Sequence, residues 1–111
     1  MKLALATLAA TLILSSPATF AGDAGTTAIE ALGKVNGIAL ACQQPAVASR
    51  ARNALVTGAP KTRANGEIFE NATNAAYLEQ GKGVACPDAA TLANLVGAAE
   101  KGLQSAFQGA R

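Results

Sequence analysis

CPDAATLANLVGAAEKGLQSAFQ, residues 86–108, is the most regular stretch of this chain. Leu92, Leu95, Val96, Ala99, Leu103, Ala106 and Phe107 recur at i, i+3, i+4 and i+7, which puts apolar side chains on one face of an α-helix. Lys101 and Gln108 point away from that face. Pro87 and Asp88 suit a first turn, where a missing amide proton costs little and a carboxylate meets the positive end of the helix dipole. The spacing predicts a helix over residues 87–108. Such a helix needs partners, and Cys86 at its start indicates one.

Cys42 is the only other cysteine. The pair lacks the Cys-x-x-Cys spacing of redox and metal motifs, and in an exported chain it reads as one structural disulfide, Cys42–Cys86. Closing a loop of about 45 residues is worth about 4 kcal/mol in the chain-entropy model. The start of the chain supports export. Met1-Lys2 is a short basic segment, residues 3–14 (LALATLAATLIL) are continuously apolar, and Pro17 then breaks the run. Thr19-Phe20-Ala21 offers small residues at −3 and −1, so residues 1–21 read as a secretory signal peptide cleaved after Ala21. The apolar run is too short to cross a bilayer as a helix. Periplasmic location is the expectation, with release outside the cell as the alternative.

Residues 22–111 then form a single domain. The whole chain is 111 residues long and 50% hydrophobic, much of it alanine. Alanine buries little area, at roughly 25 cal/mol per Å², so the core is shallow and a covalent staple matters. The formal charge of +2 is too small to indicate nucleic acid or an anionic membrane as partner.

Three further helices fit the remaining pattern. Over residues 27–41, Ala28, Ile29, Leu32, Val35, Ile38 and Ala39 share one broad face with Cys42, and Thr27 with Glu30 has the capping-box spacing. Gly33 and Gly37, four apart, permit a close helix crossing, and Asn36 reads as a structural polar group at the edge of the apolar face. Over residues 45–57, Pro45 suits the first position, Val47, Ala48, Ala51, Ala54 and Leu55 form the stripe, and Gly58 with Pro60 ends it. Over residues 62–80, Ile68, Phe69, Ala72, Ala75 and Ala76 face inward. Glu67, Glu70, Asn71, Asn74 and Tyr77 face outward. The architecture expected is all-α, a small four-helix domain closed by one disulfide.

The chain has no histidine. That removes Ser-His-Asp and Cys-His catalysis, histidine-ligated metals and c-type haem attachment. No cofactor or metal site is expected. Glu67 and Glu70 share a face, as paired carboxylates in acid–base catalysis do, but that face reads as solvated, without the burial or crowding such catalysis needs. Charge remains. Residues 50–63 carry Arg50, Arg52, Lys61 and Arg63 with no acid, followed by Glu67 and Glu70. Arg50 and Arg52 lie ~200° apart around a helix and so form no single patch. Lys61, Arg63, Glu67, Glu70, Asn71, Asn74 and Tyr77 make a dipolar surface with an aromatic anchor, suited to steering and holding a protein.

Cys86-Pro87-Asp88-Ala89-Ala90-Thr91-Leu92-Ala93-Asn94-Leu95-Val96, with Leu103 after it, resembles the final cysteine-helix of the Rap/Tai immunity proteins. Those are small disulfide-bonded periplasmic helical proteins that neutralise peptidoglycan-cutting effectors of type VI secretion. That group often has more cysteines, and residues 61–80 match none of its motifs. The plan of helices stapled by one bridge is also similar to that of HdeA-like acid chaperones. The resemblance implies a non-enzymatic protein-binding module, either an inhibitor or immunity protein or a chaperone. The alternatives are a small-ligand carrier with a cavity between alanine-lined helices, and an enzyme relying on Glu67 or Glu70.

Overall fold

The computed structural model describes residues 16–108, with side chains from residue 24 onward. It holds four helices, α1 (Ser16–Ala41), α2 (Pro45–Gly58), α3 (Arg63–Gln80) and α4 (Ala89–Gln108), and no strand among the described residues. Cys42 and Cys86 are bonded, with Cα atoms 5.8 Å apart. The all-α, disulfide-closed domain read from the sequence is the one observed. The apolar segment 3–14 lies outside the described residues.

Two helix starts differ from expectation. Thr27 does not cap α1, which is already helical over the described residues before it, from Ser16. With the alanine-rich upstream chain attached, the preceding turn satisfies the amides that a cap would otherwise serve. Pro17, read as a helix breaker, and Ala21 both lie within the described part of α1. At the other end, Asp88 is the residue before α4 and not part of its first turn. Its Oδ1 accepts a hydrogen bond from the Thr91 amide at 2.8 Å, the geometry of an N-cap.

The connections follow the punctuation of the chain. Past α1, Gln43 adopts a left-handed conformation (φ 57°). The Gln44 amide bonds the Ala39 carbonyl and the Gln43 amide bonds the Leu40 carbonyl, the two bonds of a Schellman ending. Pro45 opens α2 and Pro60 follows it. Thr62 caps α3 by accepting from the Asn65 amide at 3.1 Å, and the Asn65 side chain returns a bond to the Pro60 carbonyl.

Every other helix packs on α1. Among the described residues, α3 touches α1 and neither α2 nor α4, whereas α2 and α4 also touch each other. The core is Ile29, Leu32, Val35 and Ala39 of α1 with Val47 and Ala51 of α2, Phe69 of α3, and Leu92, Val96 and Leu103 of α4. The α1–α3 crossing is close because α1 offers glycine where α3 offers alanine. A Cβ on Gly33 would stand 2.6 Å from the Phe69 carbonyl oxygen and 2.8 Å from the Ala72 Cβ. One on Gly37 would run into the Thr73 carbonyl oxygen and stand 2.8 Å from the Ala76 Cβ.

A polar contact is built into the same crossing. Asn36, 1% exposed, donates from Nδ2 to the Thr73 hydroxyl at 3.0 Å. Thr73 in turn donates to the Gly33 carbonyl at 3.2 Å. Asn36 is therefore a buried structural group, and Thr73 lies inside the helix interface.

These contacts make two predictions. Gly37→Ala should lower the unfolding free energy from urea denaturation by about 1–3 kcal/mol through overpacking, exceeding the ~1 kcal/mol alanine gains in a helix. Gly66→Ala, whose Cβ meets nothing within 4 Å, should raise it. In the same assay Thr73→Val should cost about 1–3 kcal/mol by stranding the Asn36 amide.

Candidate functional site

The outward face of α3 is assembled as its periodicity requires. Phe69 and Thr73 are buried against α1, so Glu67, Glu70, Asn71, Asn74 and Tyr77 turn to solvent, and all five are exposed. No helix covers this face among the described residues, because α3 touches only α1. Tyr77 is 49% exposed, and Leu78, at the centre of the face, is 67% exposed. Leu78 is the member that sequence reasoning missed. An isolated leucine on a polar face has no periodicity to mark it, and only the lack of a covering element gives it meaning.

Lys61 and Arg63 flank the Thr62 cap and are both exposed. No acid occupies the first turn of α3. Cations at this end meet the positive pole of the helix dipole, an arrangement that disfavours the helix by about 0.3–1 kcal/mol each at low salt. Their placement has no stabilising role in α3, while it creates a positive end beside the acidic Glu67 and Glu70.

Arg50 leaves the basic group. Its Nε and Nη2 each bond a Glu100 carboxylate oxygen at 2.8 Å, tying α2 to α4. The hydrogen bonds to Glu100 raise the Arg50 pKa above its ordinary value, against some desolvation. The run of cations over residues 50–63 therefore reduces to Arg52, Lys61 and Arg63 as free charge. Fifty positions separate Arg50 from its partner, beyond the reach of any local pattern. The other ion pair among the described residues, Lys82 with Glu79, lies at the end of α3.

Two furrows flank the exposed side of α1. One, about 990 Å³, runs between α1 and α4 over Ala24, Ala28, Ala31, Leu95, Ala98 and Gly102. The other, about 810 Å³, runs between α1 and α3 past Glu30, Lys34, Ala72 and Ala75. Both are open to solvent. Leu95, read as a core position, is 40% exposed at the rim of the first furrow. Its part of the stripe faces the gap between α4 and α1. Among the described residues no cluster of histidine, cysteine, aspartate or glutamate side chains suits a metal ion, and no helix is long and apolar enough to cross a membrane.

This fold and surface define a small helical module, closed by a disulfide and presenting an uncovered polar helix face. No family model, curated protein or solved structure matches the chain.

Acid should act through the α4 cap. The Thr91 amide, and then its hydroxyl, hold the Asp88 carboxyl below its ordinary 3.8. The folded pKa is thus lower than the unfolded one. The ionised cap contributes stability above the ordinary aspartate range and loses it as pH falls through the folded value. Asp88→Asn keeps a capping side chain, so its melting temperature should fall less than the parent's between about pH 5 and pH 2. Parallel curves would assign the acid sensitivity to other groups.

Proposed function

We propose that this chain is an exported, non-enzymatic protein-binding module that holds its partner on the outer face of α3. The observation that carries this reading is the uncovered face itself, with Tyr77 and Leu78 exposed among Glu67, Glu70, Asn71 and Asn74. Apolar and aromatic anchors ringed by polar groups are the pattern of a binding hot spot. The free cations Lys61 and Arg63 at the amino-terminal end of α3 support it, since they oppose the helix dipole and suit an acidic patch on a partner.

The signal-like residues 1–21 and the Cys42–Cys86 bond fit an oxidising compartment, and the periplasm is the location proposed. The Rap/Tai resemblance of residues 86–103 favours an inhibitor or immunity role over a chaperone role. A small-ligand carrier buries most of its ligand in a concave apolar site, whereas the two large spaces here lie open along α1.

The test is capture by the immobilised chain from periplasmic extract, with identification of the protein retained. Glu70→Ala/Tyr77→Ala should abolish capture while shifting stability by no more than about 0.5 kcal/mol, the usual range for surface substitutions. Capture that survives, or a double variant that unfolds, would move the binding surface elsewhere.

A further inference from the structure

The exposed side of α1 carries a pattern that complements itself. Ala24, Thr27, Ala31, Lys34 and Ile38 line the α1–α4 furrow. Glu30, Lys34 and Ile38 line the α1–α3 furrow. Along α1 the stripe is small toward the amino-terminal end and bulky toward the carboxy-terminal end. Ala24, Thr27 and Ala31 come first, Lys34 and Ile38 after. Glu30 and Lys34 are one turn apart on the α3 side of the stripe, both exposed, and make no ion pair with each other.

We infer that this face binds a second copy of the chain, with the two α1 helices antiparallel about a two-fold axis near residue 32. A two-fold axis lying in the interface and across the helices keeps each side of the stripe opposite the same side of its partner. Glu30 of one chain then faces Lys34 of the other, and Lys34 faces Glu30. The same axis sets the bulky end of each stripe, with Ile38, over the small end of the other, with Ala24 and Thr27. Ala31 lies close to the crossing, where a small side chain lets two helices approach. A parallel pair would turn the Glu30–Lys34 side of each stripe toward the α4 side of the other, leaving those charges without partners, and would oppose bulk to bulk, so size and charge select the same orientation. The furrows on either side of α1 leave room for the rims of the partner. This surface is separate from the outer face of α3, which stays free in the pair.

Sedimentation of the folded exported chain, residues 22–111, at low ionic strength tests the inference, because exposed charges are weakly screened there. The parent chain should be dimeric. Glu30→Lys and Lys34→Glu each turn two attractions into two repulsions, and each alone should weaken dimerisation roughly tenfold or more. An equimolar mixture of the two variants should regain the dimer. In the mixed pair the two altered positions face each other with opposite charges, and the unaltered Lys34 of one chain faces the unaltered Glu30 of the other. Ala31→Glu should give a monomer with unchanged helical circular dichroism. A monomeric parent chain, single variants that dimerise as well as the parent, or a mixture that stays monomeric would each overturn the inference. So would a monomer that takes up an apolar dye in the furrows, which would assign them to a small ligand.

Discussion

The contact on which the rest depends is the one between the backbones of α1 and α3. Helix axes normally stay 8–10 Å apart because side chains separate them. Here Gly33 and Gly37 remove those side chains, and Ala72 and Ala76 present only methyl groups in return. The Asn36–Thr73–Gly33 hydrogen bonds fix the register in which the surfaces meet, since a slip by one turn would bury an amide and a hydroxyl without partners. Dispersion between closely packed atoms holds α3, and the polar contact says where. Since α3 meets no helix other than α1, its position has no second support within the described fold apart from the covalent loop.

From this follows the division of surfaces. A helix that packs on only one neighbour keeps most of its circumference in solvent, so α3 is the natural carrier of a recognition face. Its inward side is occupied by Phe69 and Thr73, and everything beyond is free to be chosen for chemistry. In α1 the reverse holds. It serves α2, α3 and α4 at once and retains one narrow exposed stripe, small at its amino-terminal end and bulkier toward Lys34 and Ile38. The polar face of α3 and the small stripe of α1 are two products of one asymmetric arrangement.

Much of this was legible before any coordinates. Pro45, Gly58, Pro60 and Thr62 mark helix limits by local chemistry, and their helices begin and end within a residue or two of expectation. The cysteines were decisive because a chain with two has one possible internal pairing. The four-residue spacing of Gly33 and Gly37 gave the close crossing, although not the helix that fills it. The start of α1 was misplaced because Thr27 with Glu30 matches a capping box, and the pattern carries no record of whether the preceding residues continue the helix. The role of Thr73 was hidden for a related reason. A threonine inside an alanine-rich helix shows no preference for water or for a neighbouring carbonyl until that neighbour is known. Arg50 and Glu100 are charges of opposite sign on different helices, and only the tertiary packing of α2 on α4 brings them to 2.8 Å.

The order of the helices along the chain gives their architecture a history. α1 is made first, yet its buried positions Ile29, Leu32 and Val35 are not fully covered until α4, the last helix, exists. The helix on which all others rest is thus the one that waits longest for its cover. Cys42 waits with it, a free thiol until another 44 positions have followed. α3, by contrast, packs on a helix that lies upstream of it, and its last residue, Gln80, reaches forward to the carbonyls of Val84 and Ala85. The disulfide ties the end of α1 to the segment that leads into α4, so it closes only when the last helix is at hand. A product cut short before α4 would carry an exposed apolar helix together with an unpaired cysteine, two features that favour association with other chains.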